Sequence, residues 1–449
     1  MRFAATVLLM ATALTLVSCA AARGEGNAPI KAPQIHAYPL GLAYAATEIN
    51  ATIFRLEALA SDAKHQYATY YDPAGNIVVA RRELTGGPWD LRTLPITGNV
   101  RDAHNDVVLG LSGDGVRHLS YDQHVYGRQT QALHYRSADR ATDWADFGPV
   151  RAMTGTLENR VTYPTFIPGP QGALYFFYRD GSSGNGRLCL DRYDSSMHTW
   201  SAVQSPLLEG AGRSSPYWWR PEVSADGVLH LAWCWRDSPD ASTNHDIYYA
   251  RSRDGGKTWE NSAGTKLALP ITVASDARVF AIAKGQNLMN SCALATDAQN
   301  HPHIAYYCNG PDGVLQYFHL GFDGQKWRAQ QVSHRTKAFS LAGGGTLELP
   351  ISRPEIAVSR AGTAYLITRD QEFGGGLRLY VARPPYTQWQ ALDVLYEPLG
   401  DWEPTYDLAR WQRDGVLSLF VLPVRQGNNE HVTDFPPQTA EALELSGLE

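Results

Sequence analysis

Residues 224–259 read SADGVLHLAWCWRDSPDASTNHDIYYARSRDGGKTW. An Asp-Gly turn leads into an apolar run that ends at Trp235. A second run, His245–Ser252, follows a polar loop. Both have the aromatic and aliphatic character of strands bounded by turn residues. The stretch closes on SRDGGKTW, which matches the Asp-box pattern S-x-D-x-G-x-T-W residue for residue. Degraded copies end the same way: ELTGGPW at Trp89, SADRATDW at Trp144, YDSSMHTW at Trp200, FDGQKW at Trp327 and PPYTQW at Trp389. The tryptophans recur at intervals of 55 to 68 residues. A unit of three or four strands cannot bury both of its faces alone. Repeated around an axis, such units cover one another, so the period predicts β-propeller blades. Six copies and the segment WEPTYDLARWQRDGVLSLFVLPV, residues 402–424, predict seven. The last copy is short of strands, and Ile35–Phe54 is expected to complete it as a clasp. A pair of stacked sheets would leave the tryptophan period unexplained. Asp254 and Trp259 of the Asp-box are read as structural, bending a hairpin on the face away from any chemistry.

The composition agrees with an all-β fold. Aromatics are 11% and charged residues only 19%, with 40 glycines, a turn-dense profile. The net charge of −6 argues against a nucleic-acid surface, although a local basic cleft could still hold an anion. The chain opens on MRFAATVLLMATALTLVSCAAARGEG. Its apolar run is too short to span a bilayer and suits an export signal. Leu16-Val17-Ser18-Cys19 resembles a bacterial lipobox. The expectation is a signal peptide over 1–18, a lipidated Cys19, a linker over 19–30 and a single propeller domain over 31–449. The protein would then sit in the cell envelope, lipid-anchored to the outer membrane. Ordinary secretion after cleavage within Ala20–Ala22 is the alternative. Cys189, Cys234, Cys292 and Cys308 match no zinc-finger or CxxC spacing and read as buried thiols. A zinc site built on Cys234 and His245, or a disulfide, is the other reading.

Function is sought where copies break the simple repeat. DAHNDVVLGLSGDGVRHLSYDQH, residues 102–124, reads as strand, Gly-Asp-Gly turn and strand. A hairpin of that length brings His104 and His124 together, as acid/base and substrate groups or as two metal ligands. A metal would need two further convergent donors. The other breaks are Met153–Gly186, Thr243–Ser252 and Leu288–Tyr307.

Taken together, DAHN, TYP followed by FFYRDGSSGNG, and TNHD followed by YARS resemble the BNR-repeat proteins that include the β-propeller ulvan lyases. The likeness extends from NATIFRLEAL, residues 50–59, to AFSLAGGGTLELPISRP, residues 338–354. LMNSC at 288–292 departs from it, as does the scarcity of zinc ligands around Ser183. The resemblance implies a polysaccharide lyase acting on an anionic, ulvan-like glycan, working as a monomer. It needs no cofactor for the chemistry and no catalytic metal, and leaves room for a structural zinc or calcium ion. It assigns His104 and Tyr163 as an acid/base pair, Arg179 as the neutraliser of a uronate carboxylate and His124 as a second active-site histidine. Tyr217 matches a substrate-contacting tyrosine, and Asn105, Asn244 and His245 would line or brace the cleft.

The residue types suit that chemistry. Elimination from a uronate removes the C5 proton and expels the oxygen at C4. The site must neutralise the carboxylate and supply a base and an acid. Arg offers a bidentate contact to a carboxylate, and His and Tyr carry protons. Tyr163 precedes Pro164 and is expected at the extended start of a strand. Arg179 has Asp180 as a competing partner. His301, His303 and His334 are read as structural or surface groups. A non-catalytic glycan-binding protein could use the aromatics of YWWR and YFFYR instead. A sialidase-like glycosidase is suggested by the Asp-box alone.

Overall fold

Seven antiparallel sheets account for the strands, in a computed structural model that describes residues 30–124, 133–290 and 293–448. The signal peptide, Cys19 and Cys292 lie outside the described residues. The sheets follow one another in chain order within Lys31–Glu449 and form a seven-bladed β-propeller. The third blade is typical. Its strands Val161–Pro168, Leu174–Ser182, Asn185–Asp194 and Thr199–Glu209 pair each with the next. The second has three described strands, Val107–Leu111, Arg117–Tyr121 and Tyr135–Ala138.

The ring closes as a clasp. Gln34–Ala43 pairs with Gln438–Ser446, which pairs in turn with Leu417–Val421. The N-terminal strand therefore lies on the outer side of the C-terminal one. Only Gln34–Ala43 joins this sheet. The rest of the expected clasp, through Phe54, forms turns and a short 3-10 helix and is mostly buried. That excursion carries Glu48 and Phe54 to the wall of a cavity shared with His104 and His124.

The tryptophans mark a single place in the blade. Trp200 and Trp327 lie in the outermost strands Thr199–Glu209 and Trp327–Gln331, and Trp89 and Trp389 directly precede theirs. Each thus follows the turn from the third strand to the fourth. In the Asp-box the reason is visible. The Asp254 carboxylate accepts from the Ser252 hydroxyl at 2.9 Å and from Thr258 N at 2.8 Å. The Trp259 indole N–H then donates to Gly256 O at 2.9 Å, and the ring is 1% exposed. The motif is a folded turn that drives an aromatic into the core, worth a few kcal/mol by burial alone.

A second recurring device explains the buried histidines of the second strands. Ser112 Oγ meets His118 Nε2 at 2.9 Å, and Tyr135 Oη meets its Nδ1 at 2.7 Å. Ser224, His230 and Tyr249 repeat this at 3.0 and 2.7 Å. Burial pushes both imidazoles down to about 3, so they stay neutral struts. His303 is likewise structural, bonded to His319 at 2.8 Å.

Candidate active site

A cavity of about 110 Å³ opens among residues of the second to sixth blades, with Glu48 and Phe54 on its wall. The hairpin of 102–124 delivers its two histidines there. Val107 pairs with Tyr121, so the residues just outside that pair face each other. The His104 and His124 rings stack with centroids 4.1 Å apart. Asp102 joins them from the same segment. Its Oδ1 lies 2.9 Å from His104 Nδ1 and its Oδ2 lies 2.6 Å from His124 Nδ1. An ionised carboxylate only accepts, so both Nδ1 atoms donate. The Phe54 ring stacks on His104 at 5.1 Å and meets Tyr163 edge-on at 5.0 Å.

One carboxylate between two imidazoles separates their protonation states. Burial would raise Asp102, but the hydrogen bonds from His104 and His124 outweigh it and hold the carboxyl far below its usual range. Burial would lower His104. The neighbouring Tyr163, Asp102 and Glu430, whose Oε1 stands 3.4 Å from the same Nδ1, push it well above the ordinary histidine value. Burial and the His104 charge push His124 down to about 4 despite Asp102. His104 is thus the imidazolium of the pair and His124 the neutral ring. Their contributions to stability run in opposite directions. His104, raised, stabilises the fold below the unfolded value of about 6.5 and loses this as pH rises through its own pKa. His124, depressed, stabilises above about 6.5 and loses this as pH falls toward about 4. Imidazole NMR should therefore find His104 charged past neutrality and His124 neutral well below pH 6; coincident titration near 6.5 would contradict the Asp102 bridge.

Tyr163 does not sit at an extended strand start. It is the third residue of Val161–Pro168 and has φ 57°, in the left-handed region. The pairing with the neighbouring strand slips there, from Phe177 opposite Thr165 to Arg179 opposite Thr162. Tyr163 and Pro164 form a bulge, where a proline without an N–H breaks no ladder bond. A left-handed tyrosine costs roughly 1–3 kcal/mol and is sustained by its surroundings. The bulge turns the ring against His104 at 5.5 Å and under the Arg179 guanidinium at 4.7 Å.

Asp180 is not the partner of Arg179. The two alternate along one strand, and Asp180 takes Arg187 at 2.7 Å and Arg160 at 3.8 Å instead. Arg179 is 2% exposed and donates to Tyr217 Oη at 3.3 Å. Its Nε has no acceptor, and among the described residues no carboxylate pairs with it. Arg236 is in the same condition on the next blade. Its bonds go to Asn290 Oδ1 at 3.5 Å and to the carbonyls of Pro239 and Gly343, and its Nε is also bare. Tyr217 lies between these cations, which outweigh burial and lower its phenol. Arg353, also on the cavity wall, is different: Glu403 neutralises it through two hydrogen bonds. Glu48 beside it is pushed well up by burial and by Glu403.

The structure thus brings His104, His124, Tyr163, Arg179 and Tyr217 together around one cavity. Asn105 stands outside it and braces the loop: its Nδ2 donates to Asn99 O at 3.2 Å, and its carbonyl accepts from Tyr71 at 2.8 Å. Asn244 reaches the site only through Asn290, at 3.3 Å. His245 turns away to Asp246 at 3.0 Å and Asp237 at 3.3 Å. Cys189, Cys234 and Cys308 are free and buried, and no metal-ligand group forms around Cys234 among the described residues. The one candidate ligand group there is Asp102, His104 and His124, with donor atoms within 4.8 Å of one another. In that group both Nδ1 atoms are committed to Asp102, so a ligand would meet the two rings at their Nε2 atoms.

Sequence reasoning missed Asp102, Glu430 and Arg236. Asp102 was legible, two residues before His104 in the same motif. Glu430 was not. It reaches the site from a distant loop in which Asn429 and Glu430 both have positive φ, 56° and 60°, and Thr346 holds its carboxylate.

A propeller whose axial end carries a cation-lined cavity with fixed imidazoles defines a class of site, and the sequence places the chain in a family. Residues 65–335 match the BNR repeat-containing family, and the chain belongs to it. An ulvan lyase of polysaccharide lyase family 25 from Pseudoalteromonas sp. (strain PLSV) is 22% identical over 269 residues, 51% of this chain and 52% of that one. An ulvan lyase from Nonlabens ulvanivorans is 22% identical over 320 residues, 61% and 63% of the two chains. With a long-isoform ulvan lyase of the Pseudoalteromonas strain, 28% identity extends over 146 residues, 28% of this chain and only 14% of that one. The chain thus spans less than two thirds of the length of these relatives. Among solved structures, polysaccharide lyase Uly1 superposes with a TM-score of 0.67 at 17% identity, covering 93% of this chain and all of that one. A family 25 ulvan lyase bound to -[GlcA(1-4)Rha3S]- gives 0.65 at 16% identity, over 87% and 95%. These likenesses are of fold.

Proposed function

We propose that the protein is a polysaccharide lyase that cleaves a uronate-containing, sulfated, ulvan-like glycan by β-elimination. The observation that carries this reading is Arg179, a buried guanidinium that no carboxylate among the described residues pairs with, lying over the ring of Tyr163. A buried cation left unpaired is costly, and an incoming carboxylate removes that cost while making the C5 proton more acidic. Arg236, equally unpaired, widens the positive field behind Tyr217. His104 enters the reaction with its proton in place and gives it to the departing O4. Removal of the C5 proton then falls to the Tyr163 oxygen, which reacts as the phenolate after giving its own proton to solvent, under the Arg179 guanidinium. His124, neutral, hydrogen-bonds a sugar hydroxyl. Asp102 and Glu430 hold His104 in orientation and charge.

The names of the relatives and the bound disaccharide of one structural neighbour support the substrate class. A sialidase-like reading would want three arginines on one carboxylate, and Arg353 is already spent on Glu403. A purely binding role would want exposed aromatic platforms, whereas Trp218 and Trp219 are buried. Incubating the protein with ulvan and following the absorbance of a new C4–C5 double bond tests the reading.

The envelope location is part of the same proposal: Cys19 carries a lipid, and the enzyme meets polymer at the cell surface. Cys19→Ser should release the protein from the membrane fraction. A mature N-terminus without lipid mass, fractionating as the parent does, would contradict the anchor.

A further inference from the structure

A second cavity lies at the other end of the inner strands. Val107–Leu111 leaves the histidine cluster at its start and meets this cleft at its end, as Val161–Pro168 does after Tyr163. The cleft, about 690 Å³, is lined by the first and second blades and reaches the third at Phe166 and the helix start at Asp407, a volume that accepts a short oligosaccharide. Its wall carries Lys64, Arg81, Arg117 and Arg140. Lys64 and Arg140 are exposed, and among the described residues neither forms an ion pair. Arg117 is 7% exposed; among the described residues it bonds the carbonyls of Gly115 at 3.3 Å and Asp139 at 2.6 Å, and its buried Nε meets no acceptor. Burial and the nearby Arg81 hold its guanidinium below the usual range. Arg81 lies 4.9 Å over Trp144 and only 3.9 Å from Asp90, its one carboxylate.

The acids of the cleft do not balance these cations. Asp407 is wholly buried and caps the helix Leu408–Asp414 through Arg410 N. Asp62 is taken by His65 and by backbone N–H groups. Glu57 is pushed up to about 8 by burial, so it is uncharged at neutrality. A chain of net charge −6 has thus placed four cations along one groove, where Asp90 meets Arg81 at 3.9 Å and Asp139 and Asp143 act on Arg117 without forming an ion pair among the described residues. Two guanidiniums that repel each other are a standing electrostatic cost, which an anion between them converts into attraction.

We propose that this cleft is a second carbohydrate site, distinct from the cavity at His104, which binds a sulfated segment of the glycan chain. It rests on the substrate class of the proposed function. A segment held there keeps the enzyme on the polymer while another stretch is cut, and linked contacts of this kind raise overall affinity.

Affinity electrophoresis through gels containing ulvan tests it, using the parent and Lys64→Glu/Arg140→Glu, both at exposed positions. The charge-reversed protein should bind ulvan roughly tenfold or more weakly. Arg117→Gln, its fold confirmed by circular dichroism, should weaken binding in the same direction. Chemically desulfated ulvan should bind the parent as weakly as ulvan binds the charge-reversed variant. Equal retention of parent and charge-reversed protein overturns the site. Equal retention on desulfated polymer overturns the sulfate assignment. Displacement by inorganic sulfate at matched sulfate concentration reassigns the cleft to a small anion and also overturns the proposal. The two readings fail separately. Parent retention that depends on Lys64 and Arg140 without unsaturated product removes the lyase reading and leaves the cleft. Product formation with unchanged retention does the reverse.

Discussion

A Tyr163→Phe variant should fold like the parent and form unsaturated product about a hundredfold or more slowly. The substitution removes one oxygen and leaves the ring. The ring does the structural work: it packs edge-on against Phe54 at 5.0 Å and Trp218 at 5.8 Å and carries the Arg179 guanidinium on its face. None of these contacts uses the hydroxyl, so the bulge and its left-handed residue persist in Phe. What disappears is the atom proposed to receive the C5 proton. Thermal unfolding within a few degrees of the parent, together with the lost rate, separates chemistry from stability. A folded Tyr163→Phe protein working near the parent rate would take the proton role away from this residue.

Arg179→Ala should also lower kcat/KM about a hundredfold or more. The reason differs. Charge builds on the carboxylate as C5 loses its proton, and Arg179 is the unpaired guanidinium nearest Tyr163. Arg179→Lys should recover little, because an ammonium keeps the charge and loses the planar, two-pronged contact. Combining Arg179→Ala with Tyr163→Phe should cost far less than the sum of the separate losses, since both act in one step. Additive losses would mean that the two groups serve different steps.

The propeller was legible because its cause is periodic. A tryptophan that follows the third strand leaves a mark in six of the seven blades, and the shortage of strands in the last copy announced the clasp. The hairpin of 102–124 was legible for the same local reason: its turn and strand lengths fix where His104 and His124 emerge. The bulge at Tyr163 was not. The following proline argued for an extended residue, and the surroundings of Phe54, His104 and Arg179 override that preference. Glu430 was invisible because its position depends on a loop more than three hundred residues from His104 in sequence. His245 looked like a site residue by its motif, yet its neighbours Asp237 and Asp246 hold it elsewhere. Local chemistry could be read from the sequence. Contacts made across the ring could not.

The central claim is elimination at a uronate. Its most direct test is the reaction of the parent protein with ulvan, followed by ultraviolet absorbance and by mass spectrometry of the products. The account predicts fragments ending in a C4–C5 double bond, each lacking one water relative to hydrolysis. Saturated fragments, or bound but uncut polymer, would contradict it.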